Sequence, residues 1–203
     1  MPGTPSLLQR ACAGALRLLG WKWRVDWPQV PRCVVIVYPH TSNWDFAIGY
    51  LVKAASGVPI QFIGKHTLFR WPLGPVLRWM GGIPVDRSAP SGFIPAMQAE
   101  LLRRPWAWVV LAPEGTRSRL DHWKSGFHRL AVGAGVPLGL AFIDWKEKEV
   151  GLTAYVDLSG DPERDLEVLR AFYAGKAGRR PELASDIRFR AAPRVDGRPP
   201  TRG

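Results

Sequence analysis

Cys33-Val34-Val35-Ile36-Val37-Tyr38-Pro39-His40-Thr41-Ser42-Asn43-Trp44-Asp45 is the stretch that decides the fold. Residues 34–37 are all β-branched, an unbroken apolar run of the kind found in strands covered on both faces, and Pro39 ends it because proline brings no ladder N–H. Thr41, Ser42 and Asn43 supply turn chemistry. From 45 to about 55 the apolar residues return with helical spacing, and Ser42 or Asn43 is suited to cap the first turn. The unit is strand, loop, helix.

Working outward, residues 60–63 and 106–111 have the pattern of further strands, while 92–103 and 123–132 have that of helices. Residues 138–143 and 151–156 read as two more strands joined by the charged turn 144–149, which suggests an antiparallel hairpin. Asp161 as cap and Pro162 at the first helical position open a last helix to about 174, stopped by Gly175. Alternation of this kind predicts an α/β fold, a mixed and mostly parallel sheet flanked by helices. Toward the N-terminus, residues 6–19 form an amphipathic helix with Leu7, Leu8, Ala11, Ala15, Leu18 and Leu19 on one face. That face either lies on a bilayer or packs on the core. Beyond Lys176 the chain is rich in Arg, Pro and Gly, and a weakly ordered basic tail is expected. The expected division is thus a membrane-surface segment over 1–30, one α/β domain over 31–175 and the tail over 176–203.

A chain of 203 residues with 46% apolar content has enough material for one sizeable core. Lysine and arginine number 28 against 17 acidic residues, a net charge of +11 that attracts phosphate-bearing partners. Nucleic acid and anionic lipid both qualify, but ten tryptophans, several beside Arg or Lys, favour a membrane surface. No specific nucleic acid is expected. No stretch has the roughly 18 apolar residues in a row that a bilayer span requires, and the N-terminus carries no secretory pattern. The expected location is the cytoplasmic face of a membrane, peripheral or monotopic. Cys12 and Cys33 have neither disulfide nor zinc spacing, and the histidines lack a His-Glu-x-x-His pattern, so no metal or cofactor is expected.

His40 and Asp45 carry the first chemistry. On one helix, residues five apart would point about 140° from each other at roughly 100° per residue, so they meet only if His40 is in the loop and Asp45 in the first turn. An aspartate accepting the Nδ1 proton would fix the imidazole tautomer and leave Nε2 free as a general base. A histidine hydrogen-bonded locally, with no reaction, is the alternative. A second segment, Glu114-Gly115-Thr116-Arg117-Ser118, follows the strand at 106–111, at the strand end where α/β proteins place ligand loops. Gly115 allows close backbone approach, and Arg117 offers a fork matched to phosphate oxygens; a salt bridge between Glu114 and Arg117 is the plainer option. Lys65, and Arg87 after Gly82-Ile83-Pro84-Val85, add cations beside turn glycines.

Taken as a set, these blocks resemble the glycerophospholipid acyltransferase family, of which 1-acyl-sn-glycerol-3-phosphate acyltransferases are the best-known members. Residues 39–45 look like its H-x4-D block, 82–87 like its second, 114–118 like its E-G-T-R-S block and Val136-Pro137-Leu138 like its fourth. The resemblance implies that His40 and Asp45 are the catalytic dyad, that Glu114, Gly115, Thr116 and Arg117 line the acceptor site, and that Lys65 and Arg87 help bind its phosphate. It implies an O-acyltransferase that uses acyl-CoA or acyl carrier protein as donor and a lysophospholipid as acceptor. Pro39 stands where family members often have Asn, and Gly139-Leu140 replaces a second proline, which leaves the acceptor open between 1-acyl-sn-glycerol 3-phosphate, glycerol 3-phosphate and other lyso-lipids. A serine hydrolase is disfavoured because neither Ser42 nor Ser118 lies in a Gly-x-Ser-x-Gly elbow. A basic module that binds nucleic acid or membranes without catalysis would leave the two motif blocks unexplained.

Overall fold

The computed structural model describes residues 5–27, 29–85 and 90–190. The apolar run at 34–37 lies in β2 (Arg32–Tyr38), where Cys33, Val34, Val35 and Ile36 are wholly buried. Both edges of β2 are paired in parallel, with β5 (Ala107–Leu111) on one side and β6 (Leu138–Asp144) on the other. Beyond β5 come β3 (Ile60–Lys65) and then β4 (Gly82–Val85), also parallel. Beyond β6, β7 (Glu149–Val156) returns antiparallel, as the charged turn between them predicts. A strand not expected from the sequence, β1 (Lys22–Val25), pairs in parallel with β7. The order is β1-β7-β6-β2-β5-β3-β4, a mixed and mostly parallel sheet.

Side chains alternate across a strand, so β2 sends its two sets of residues into different layers. Val34, Ile36 and Tyr38 meet α4 (Pro90–Arg103), α5 (Gly126–Ala134) and α6 (Pro162–Tyr173) through Leu101, Phe127, Leu130 and Leu169. On the opposite face Val37 joins a cluster with α1 (Leu7–Leu18) and α2 (Asn43–Ser56), built on Leu16, Ile48 and Val52. Each leucine, isoleucine or phenylalanine fully buried in these layers contributes about 1.5–3 kcal/mol.

Helix ends follow the sequence closely. Ser42 and Asp45 form a capping box at the start of α2, Ser6 and Gln9 another at the start of α1, and Asp161 accepts the N–H groups of Glu163 and Arg164 ahead of α6. The face of α1 is the informative part. It packs on α2 through Cys12, Ala13 and Leu16, whereas Leu7, Leu8, Leu18 and Leu19 point outward, Leu7 at 83% and Leu18 at 91% exposure. Both sides of this helix are apolar, and the leucine stripe is the one left uncovered.

Two boundaries are corrected. The segment before residue 31 is part of the sheet through β1. The chain after Gly175 does not leave the core over 176–190: Ser185 is buried, Ser185 N–H donates to Glu114, and Phe189 bridges Trp123. Trp123 itself precedes α5 instead of starting it, and is held in the core against Tyr38, Phe127 and Tyr173. Residues 191–203 lie outside the described residues.

Candidate functional site

β2 ends at Tyr38, so His40 falls in the loop at the carboxyl end of a central parallel strand, and the capping box fixes where α2 begins. Asp45 is thereby placed in the first turn and wholly buried, with its Oδ2 3.4 Å from His40 Nδ1. That separation permits a charge interaction but exceeds a formed N–H···O bond. The carboxylate is already engaged: Oδ2 accepts Ser42 N–H at 2.7 Å, and Oδ1 accepts the Trp145 indole N–H at 2.7 Å. It is an acceptor held in place before the imidazole needs it.

His40 has a pKa below the ordinary histidine value. Burial disfavours the imidazolium most, Asp45 opposes that effect, and the Arg117 guanidinium adds to it. The result is a neutral imidazole at physiological pH, the form a general base requires.

Glu114 departs from its expected placement at the acceptor site. It sits at 1% exposure with Oε2 accepting the His40 backbone N–H at 2.8 Å and Oε1 accepting Ser185 N–H at 3.0 Å. No ion pair with Arg117 forms. Burial raises the Glu114 pKa, and the bonds from Ser185 and His40 counter it. The residue therefore anchors the His40 loop from behind. Gly115, Thr116 and Arg117, in contrast, do reach the cavity described below, and Gly115 has φ 65° with a Lys124 side chain so close that a Cβ would meet it at 2.9 Å. Arg87 lies outside the described residues.

His40 opens onto a cavity of about 760 Å³ between α2 and the sheet, large enough for a small-molecule ligand. Val35, Val37, Phe46, Phe62 and Leu152 line its interior; Asp45, Arg117 and Lys65 are also on its wall. Its far side is closed by a 3-10 turn at His66–Phe69 and by α3 (Leu73–Trp79), which contributes Leu73 and Leu77. Lys53, eight residues beyond Asp45 and hence about 12 Å along α2, donates its ammonium to the Met80 carbonyl and ties α2 to the end of α3. Burial lowers its pKa. The site thus combines one buried imidazole, three cations (Lys53, Lys65 and Arg117) and an apolar chamber.

Cys33 is not part of this chemistry, because burial pushes its thiol up to about 12 and keeps it protonated. The hydroxyl of Ser42 is occupied by the Trp44 N–H. Local spacing gave no sign of Trp145 or Ser185, since each meets the site through contacts 100 and 71 residues apart in sequence.

The 1-acyl-sn-glycerol-3-phosphate acyltransferase of Pseudomonas aeruginosa is 31% identical over 112 residues, covering 51% of this chain and 41% of that protein. The chain thus spans about two-fifths of that relative's length. The crystal structure of the 1-acyl-sn-glycerophosphate (LPA) acyltransferase PlsC from Thermotoga maritima shares the fold, with a TM-score of 0.56 at 17% identity, over 81% of this chain and 74% of that one. The family model described as Acyltransferase matches residues 28–139, more than half of the chain and inclusive of His40, Asp45 and Arg117, and the protein belongs to that acyltransferase family.

Proposed function

We propose that the protein moves a fatty acyl group from an acyl thioester, acyl-CoA or acyl carrier protein, to the hydroxyl of a lysophospholipid-type acceptor such as 1-acyl-sn-glycerol 3-phosphate. The observation that carries this reading is the junction of His40, backed by Asp45, with a 760 Å³ apolar cavity whose wall also holds Arg117 and Lys65.

His40 Nε2 takes the proton of the acceptor hydroxyl as its oxygen attacks the thioester carbonyl. The tetrahedral intermediate then expels the thiol, which takes the proton back from the imidazolium, giving an ester and a free thiol with no acyl-enzyme. Asp45 stabilises the imidazolium between the two steps. Arg117, with Lys65, holds the acceptor phosphate, and the fatty chain lies along the apolar chamber. Holding both substrates in reacting orientation accounts for several kcal/mol of the barrier.

Both substrates are lipid-like, and the surface suits a membrane partner. Leu7 and Leu18 on α1, together with Trp71 and Trp79 beside α3, are exposed on a chain of net charge +11. Trp–Arg surfaces of this kind settle at the head-group level of anionic bilayers. No helix among the described residues is long and apolar enough to cross a membrane.

The test is to supply purified protein with each donor and a panel of lyso-lipids and glycerol 3-phosphate in liposomes, measuring free thiol and esterified product. Equimolar thiol and ester support the reading; thiol release without ester would show a thioesterase instead.

A further inference from the structure

The Asp45 carboxylate has two oxygens and two different tasks, and the group that separates them lies outside the residues matched by the family model. Oδ2 faces His40 Nδ1 and the Ser42 N–H. Oδ1 points the other way, to Trp145 Nε1 at 2.7 Å. An indole N–H only donates, so it can neither take a proton from the carboxylate nor compete with it for the imidazole proton. It is the kind of partner that fixes a carboxylate's orientation.

Trp145 is itself held from three sides. Its backbone N–H donates to Ala177 O at 2.8 Å, which joins it to the segment after α6. Its ring stands edge-on to Trp21, 5.0 Å between centroids at 88°. The Arg179 guanidinium lies 4.9 Å from its ring centre and 5.7 Å from that of Trp44, the residue next to Asp45. The same segment presses on the His40 loop: Arg180 N–H donates to Thr41 Oγ1 at 3.1 Å, and a side chain at Gly178 would meet Thr41 Oγ1 at 2.6 Å. Residues 177–180 thus form a strap across the loop that carries the base, and Trp145 is the point at which the strap reaches Asp45.

We propose that Trp145 is a positioning residue for acyl transfer: its indole N–H pins Asp45 Oδ1 so that Oδ2 faces His40, and Arg179 on the strap keeps the indole in place. This rests on the acyl-transfer reading of His40. Arg117 and Glu114 from the loop after β5, Lys65 at the end of β3 and Arg179 on the strap are the charged groups around the pair. None is altered by removal of the indole N–H.

The experiment compares the parent with Trp145→Phe, which keeps a ring against Trp21 and Arg179 but has no N–H. A second variant carries benzothienylalanine in place of Trp145, keeping the full indole outline. Two readouts are taken: the titration of the His40 imidazole by NMR, which needs no substrate, and kcat and KM for acyl transfer. Without the donor, the carboxylate is free to turn away from Nδ1, and because Asp45 is what raises the His40 pKa against burial, the His40 midpoint moves down by about half a unit or more. For the same reason kcat falls about tenfold while both KM values stay as in the parent. An unchanged His40 titration in a folded variant overturns the proposal. Absence of acyl transfer in the parent would instead overturn the function assigned to His40, and the titration would still decide whether Trp145 acts on the pair.

Discussion

In the proposed transfer His40 can act as a base only when neutral, and burial in the cavity wall holds its pKa below the ordinary value of 6.5. The acid limb of kcat/KM is therefore expected below pH 6.5, measured from initial rates across pH 4.5–8 (roughly two units on either side of the unperturbed histidine value). The same shift affects stability. Between the folded value and 6.5 the unfolded chain binds a proton that the folded chain refuses, so stability falls as pH drops through that window. His40→Gln removes this dependence, which thermal unfolding against pH reads directly. Glu114 makes a different prediction, because its carboxylate accepts two buried N–H groups, those of His40 and Ser185. Glu114→Gln turns one acceptor into a donor that faces an N–H, leaving a buried bond unmade at a cost of about 1–3 kcal/mol. Lower denaturant midpoints accompanied by lower kcat are expected, since the His40 loop loses its anchor. With Arg117 holding the acceptor phosphate as proposed, Arg117→Gln is expected to raise KM for a phosphate-bearing acceptor about tenfold, with the donor KM unchanged.

Among the elements, α1 and the α3 region face outward with apolar side chains that nothing in the fold covers. Trp71 is 87% and Trp79 is 76% exposed, and neither lines the cavity. Replacing both with serine is expected to weaken binding to anionic liposomes in a sedimentation assay, while transfer to a short-chain, water-soluble acceptor continues at the parent rate. What the sequence disclosed at this scale follows from locality. β2, α2 and α6 carry their own start and stop signals, in Pro39, Ser42, Asp161 and Gly175, and each was legible. β1 was not, because Lys22-Trp23-Arg24-Val25 is a short edge strand whose partner β7 lies more than a hundred residues on. β4, with Pro84 on an outer edge, gave as little sign. For α1 the sequence showed an apolar face but not its direction, since Cys12, Ala13 and Leu16 on the other side turned out to make the core contact.

In the whole molecule, the site lies where a parallel sheet presents the carboxyl ends of β2 and β5, and long-range contacts finish it. The His40 to Asp45 pairing and the exposed position of Arg117 could be inferred from spacing within two loops. The turning of Glu114 toward Ser185, the reach of Trp145 to Asp45 and the strap over Thr41 could not, since each depends on residues between 145 and 185 folding back over residues between 41 and 114. The central claim is that His40 deprotonates a lipid hydroxyl during acyl transfer. Its most direct test is the transfer of acyl groups from acyl-CoA or acyl carrier protein to 1-acyl-sn-glycerol 3-phosphate by the parent and by His40→Ala, with product ester quantified. The account predicts ester from the parent and a loss of at least about a hundredfold in the variant, and undiminished transfer by folded His40→Ala would contradict it.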